Sequence, residues 1–155
     1  MAKLHQYKAK LTWTGNNGNG TAGYKTYSRN HSISIEGKPE IAGSSDAAFR
    51  GDGSRHNPED LLLSGLAACH MLWYLHLCAD KGIVVTAYED SPIGIMEENE
   101  TGGRFTEVTL NPVVTITDKT QTVLANELHK IAHQKCFISN SVNFPVRHNP
   151  TCLFL

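Results

Sequence analysis

The chain has 155 residues, of which 40% are hydrophobic, and a formal charge of -1, which is enough apolar material for the core of one ordinary domain. No basic or acidic block stands behind that near-neutral charge, so the electrostatic case for nucleic acid is missing. Met1-Ala2-Lys3-Leu4-His5-Gln6-Tyr7-Lys8 leads into no hydrophobic signal segment, so a cytoplasmic product is expected. The best candidate for a membrane span holds Asp60, His70 and His76 and ends at Asp80-Lys81, so none is expected.

Residues 4–13 read as a first strand, followed by the glycine-rich turn Gly15-Asn16-Asn17-Gly18-Asn19-Gly20. That turn lacks the spacing and the following helix of a nucleotide fingerprint. Thr21 to Ser28 and His31 to Ile35 read as short strands, with a turn at Glu36-Gly37-Lys38-Pro39, so a small antiparallel meander is expected. From Ala42 to His56 the chain is polar and glycine-bearing and carries Arg50 and Arg55. Such a loop brings polar groups over a site.

The stretch His56 to Gly82 is the longest and most apolar helix available. Asn57 is its cap, Pro58 suits the first helical position, Asp60 sits at the capping-box position, and Lys81-Gly82 closes it. Its apolar positions outnumber those of a one-sided surface helix, so most of its circumference should be covered. Gly65, Ala67, Ala68 and Ala79 let another backbone come close, whether a second helix or a symmetry mate.

Ile83 to Tyr88 and Ile93 to Met96 are β-forming, Glu97 to Gly103 is the clearest hairpin turn, and Phe105 to Thr117 is a return strand bent at Asn111-Pro112. Asp118 or Thr120 caps a second helix running to about Gln134, and Ser141 to Val146 resembles a final strand. With no repeat or linker, residues 1–155 read as one α+β domain.

Four cysteines, Cys69, Cys78, Cys136 and Cys152, are too scattered for a dense extracellular scaffold, so free thiols are expected. Cys69 in mid-helix is either an inert small hydrophobe or, if the helix breaks at Ser64-Gly65, a thiol beside free amides that favour its anion. His76 follows it by seven residues, roughly 10 Å along the axis, which is too far for direct proton transfer. His70 is adjacent but turned away, and Cys78 lies close to the opposite face. His129 and His133 share a helix face without the glutamate of a metalloprotease motif or a fixed third ligand, so they read as exposed helix histidines. Trp73 and Tyr74 read as core or interface aromatics.

Asn57-Pro58-Glu59-Asp60-Leu61, Gly65-Leu66-Ala67-Ala68-Cys69 and Lys135-Cys136 together resemble the OsmC/Ohr family of thiol peroxidases, over nearly the whole chain. The resemblance implies an intertwined homodimer with antiparallel sheets around two central helices. It implies Cys69 as the peroxidatic and Cys136 as the resolving cysteine, no cofactor, an organic hydroperoxide as substrate and a dithiol as reductant. Glu59 matches the family carboxylate that orients an arginine beside the thiol, yet it stands ten residues before Cys69, about 15 Å along an unbroken helix. The family arginine after the first strand is absent here, and Arg29 and Arg50 are the substitutes, with Arg29 slightly favoured. The competing readings are a non-enzymatic stress-related or small-ligand-binding dimer and, more remotely, metal-assisted hydrolysis.

Overall fold

The computed structural model describes residues 3–155; Met1 and Ala2, which open the N-terminal segment, lie outside them. The chain forms two compact units, Met1–Leu61 and Leu62–Leu155.

In the first unit, β1 (Lys10–Trp13), β2 (His31–Ser34) and β3 (Ile41–Gly43) form the expected antiparallel meander in the order β1-β2-β3. Gly37 turns β2 into β3 at φ 74°, a left-handed conformation that glycine adopts without a steric penalty. Thr21 to Ser28 is not a strand but a series of turns. Asn16 Oδ1 accepts from the amides of Gly18 and Gly20, and Thr26 Oγ1 bonds both backbone groups of Gly23, so local bonds replace a ladder. The polar loop after β3 contains a single 3-10 turn, Ala47–Phe49, capped by Asp46 and ended by Arg50 at φ 64°.

The capping box expected at the start of the long helix α1 (Pro58–Asp80) is present: Asn57 Oδ1 accepts from the Asp60 amide at 2.7 Å and Asp60 Oδ2 accepts from the Asn57 amide at 3.3 Å. At the other end Gly82 takes φ 69°, and the amides of Gly82 and Ile83 donate to the carbonyls of Ala79 and Cys78, a Schellman closure. The helix runs through Ser64-Gly65 without interruption.

In the second unit, β4 (Val85–Asp90), β7 (Pro112–Ile116) and β9 (Thr151–Phe154) form one sheet, and β5 (Ile93–Asn99), β6 (Gly102–Leu110) and β8 (Val146–His148) form another. The hairpin β5–β6 was expected; the bent return strand is instead two strands in two sheets, separated by Asn111 alone. Its amide donates to Asp90 Oδ1 at 2.7 Å and its side-chain amide to the Ser91 carbonyl at 2.9 Å. Opposite it, the Asn149 amide donates to the Leu110 carbonyl. Three strands thus change sheet at one corner. The sheets are mixed, because β8 joins β6 and β9 joins β7 in parallel.

Ser141 to Val146 is not a final strand. A 3-10 turn, Ser139–Ser141, precedes it, and strand pairing begins only at Val146 and resumes in the segment carrying Cys152. The second helix, α2 (Thr122–Lys135), follows a short 3-10 turn whose cap is Asp118.

Leu66 of α1 packs with Val108 and Leu110. Tyr74, Leu77 and Cys78 pack with Val114 and Ile116 of β7 and with Ala125, Leu128 and Ala132 of α2. By length and composition α1 would suffice to cross a membrane, contrary to the sequence expectation, but these contacts are those of a core helix. The chain itself covers only one side of it: Leu72 is 63% exposed, and Ala68, His76 and Ala79 are exposed as well.

Candidate functional site

Cys69 projects from the middle of α1 and is half-buried. Because the helix does not break, the free amides invoked to activate this thiol are not beside it. Leu72, Trp73 and His76 follow at the helical spacings that share its face, and they line a shallow hollow of about 230 Å³.

Cys136 caps the C-terminal end of α2 and is 1% exposed. The chain then turns tightly, with the Asn140 amide donating to the Cys136 carbonyl and the Ser139 amide donating to Cys136 Sγ at 3.3 Å. Cys69 lies near enough to Cys136 to perturb its thiol, so residues 67 positions apart in sequence come close here, both as free thiols. Burial and the adjacent Cys69 push the Cys136 thiol up to about 11, while the Ser139 and Ile138 amides pull it down. Lys135 and Phe137 pack on Trp73: the Lys135 ammonium lies 5.2 Å from the Trp73 ring centroid, and the Phe137 ring meets Trp73 edge-on at 5.7 Å. Trp73, read from sequence as a core or interface aromatic, therefore also walls the space beside Cys69.

A second group lies on another side of α1. His70 Nε2 and His129 Nδ1 share a hydrogen bond of 2.9 Å, and each ring is 1% exposed. Tyr74 stacks on His129 at 3.9 Å, and His148 lies 5.6 Å from both His70 and His133. Burial, aided by the neighbouring imidazoles, lowers His70 to about 4 and His129 to about 3, so both rings are neutral. The expectation that His129 is an exposed helix histidine is overturned: its side of α2 also carries Ala125, Leu128 and Ala132, all buried. The spacing Leu66, His70, Tyr74, Leu77 on α1 was the signal that could have placed His70 inside. Among the described residues no three His, Cys, Asp or Glu side chains converge as metal ligands.

The remaining thiols belong to a different cluster. Cys78 is buried in the α1–α2 core, and Cys152 packs against that cluster from β9. His76 is exposed and pairs with Asp80 at 3.4 Å.

In the first unit the guanidinium of Arg29 donates to the carbonyls of Tyr27 and Tyr24 at 2.8 and 2.9 Å and lies over both tyrosine rings. Arg50 is exposed, and its side chain makes no hydrogen bond or ion pair among the described residues. Glu59 sits in the first turn of α1, half-buried. With the helix unbroken, about 15 Å of axis separates it from Cys69 of the same chain.

The sequence model of the OsmC-like protein family matches residues 51–150. The chain belongs to that family. Its fold agrees: an OsmC-like protein of unknown function from Vibrio cholerae is 28% identical, with a TM-score of 0.86 over 95% of this chain and 99% of that one. An organic hydroperoxide resistance protein from Elizabethkingia anophelis, 20% identical, aligns over the whole of both chains with a TM-score of 0.70. One from Legionella pneumophila, also 20% identical, aligns over 98% of this chain and 99% of that one with a TM-score of 0.66. No curated protein matches the sequence. As an OsmC-like protein the chain has the mixed α+β architecture read from its sequence.

Proposed function

We propose that this OsmC-like protein is a homodimeric thiol peroxidase that reduces organic hydroperoxides with Cys69 and Cys136. The observation that carries the reading is the closeness of these two free thiols, one on α1 and one just past the end of α2. Cys69, as thiolate, attacks the terminal oxygen of ROOH. The O–O bond breaks, the departing alkoxide takes a proton and leaves as ROH, and Cys69 becomes a sulfenic acid. Cys136 then attacks that sulfur, and its proton leaves with the hydroxide as water. A dithiol restores the pair and is itself oxidised to a disulfide. The apolar hollow lined by Leu72 and Trp73 favours an organic peroxide over hydrogen peroxide.

The continuity of α1 supports the dimer. A carboxylate about 15 Å along a rigid helix cannot serve its own Cys69, whereas a second copy laid on the exposed side of α1 at Ala68 can offer its Glu59 in trans. Of the two arginines, Arg50 has an uncommitted guanidinium, which favours it over Arg29 as the cation that stabilises the thiolate and the developing alkoxide.

One equivalent of cumene hydroperoxide, followed by intact mass and peptide mapping, tests the chemistry. The expected result is rapid loss of two hydrogens and a Cys69–Cys136 crosslink, absent in Cys69→Ser. An unchanged mass would leave a non-enzymatic binding dimer. Light scattering tests the assembly, and a monomer at micromolar concentration would overturn it.

A further inference from the structure

The two sulfurs that would form the disulfide are unequal in a way that decides where reducing equivalents come in. Cys136 is sealed by its own chain, at 1% exposure, and its sulfur is already engaged by the Ser139 amide at 3.3 Å. Cys69 is half-buried, so its sulfur side retains access that Cys136 lacks, and Leu72 and Trp73, one turn further along α1, line with His76 a shallow hollow. Thiol–disulfide exchange requires the attacking sulfur to reach one sulfur of the bond while the other departs.

Resting on the peroxidase reading above, we infer that the reductant enters at Cys69: an incoming thiol bonds to Cys69 Sγ, and Cys136 is the sulfur released. The exchange balances as R′SH plus the Cys69–Cys136 disulfide giving Cys69–S–S–R′ and the Cys136 thiol. The S–S bond between the two cysteines breaks, a new one forms between Cys69 and R′, and the proton of R′SH ends on Cys136. The second thiol of a dithiol reductant then attacks the mixed disulfide, releasing Cys69 and leaving the reductant as its own disulfide.

The turn after α2 suits Cys136 to this part. As its sulfur takes up negative charge on departure, the Ser139 amide is already aimed at it. Once released, burial favours its protonated form. Reversing the roles would require a reductant to reach a sulfur enclosed between Cys69, the α2 terminus and the Ser139 turn.

The experiment uses the full wild-type chain, oxidised with diamide so that the disulfide forms without any peroxide. It is then exposed briefly to excess 2-mercaptoethanol, quenched in acid with N-ethylmaleimide and mapped by mass spectrometry. The expected product carries mercaptoethanol on Cys69 and maleimide on Cys136, in at least tenfold excess over the reverse pattern. Mercaptoethanol on Cys136, or equal labelling of both, overturns the inference while leaving the peroxidase reading standing. An intact disulfide that no thiol opens overturns it as well. Failure of diamide to join Cys69 to Cys136 removes the peroxidase reading together with the inference.

Discussion

Cys69 and His70 are adjacent on α1, about 100° apart around it, and the regions they face are built on opposite plans. Near Cys69 lie a second free thiol, a backbone amide aimed at that second sulfur and, one turn along the helix, an open apolar hollow. Around His70 everything is closed: two imidazoles buried against one another, a tyrosine stacked on one of them, and no opening to solvent. The comparison teaches that residue type alone does not announce which groups titrate. Histidine is the usual acid or base near neutral pH, yet here the buried histidines are locked neutral.

The sharpest way to break this comparison is at the thiols. Cys69→Ser should lower peroxide consumption by at least a thousandfold while shifting the melting temperature by only a degree or two, read by a coupled peroxide assay and by calorimetry. Cys136→Ser should keep the first reduction event but lose turnover by about a hundredfold, with Cys69 accumulating as sulfenic and sulfinic acid in the mass spectrum.

The reverse pattern is expected at the imidazoles. His129→Leu leaves His70 with no partner for Nε2 and should cost about 1–3 kcal/mol by denaturant titration, with peroxide reduction retained in the folded fraction. His70→Leu combined with His129→Leu removes both polar partners, so the double variant should recover part of that loss. A double variant as unstable as the sum of the singles would sink the pairing argument.

Acid should act on the same region. The unfolded chain takes up protons near the ordinary histidine value of 6.5, while folded His70 and His129 do so only near about 4 and 3. Between those values the unfolded state binds more protons, so this contribution is complete above pH 6.5 and is lost as pH falls towards 4 and 3. Melting temperature should therefore drop across that window, and the double leucine variant should flatten the drop. The smallest expected effect is at the hollow: Trp73→Ala should raise KM for cumene hydroperoxide by three- to tenfold and leave hydrogen peroxide kinetics unchanged.

Much of this was legible in the sequence where the signals are local. The cap at Asn57, the closure at Gly82 and the turn at Gly37 depend on a few neighbouring residues, and they appear where expected. The family was legible from motif residues. The resemblance carried Cys136 to Cys69, because spacing alone could not. What stayed hidden depended on distant partners. Thr21 to Ser28 has a strand-like composition but satisfies its polar groups through Asn16 and Thr26, and β8 and β9 are strands only because β6 and β7 lie beside them. The histidine pair joins α1 to α2, so neither helix read alone reveals it.

The corner at Asn111 leaves the chain no slack. With one residue between β6 and β7, an insertion there would flip the facing of one strand relative to its sheet. The neighbouring crossings at Ser91-Pro92 and Asn149-Pro150 would then have to lengthen in step. Among natural homologues these three crossings should vary in length together or not at all, while the β5–β6 hairpin tip, bound by no such condition, drifts freely.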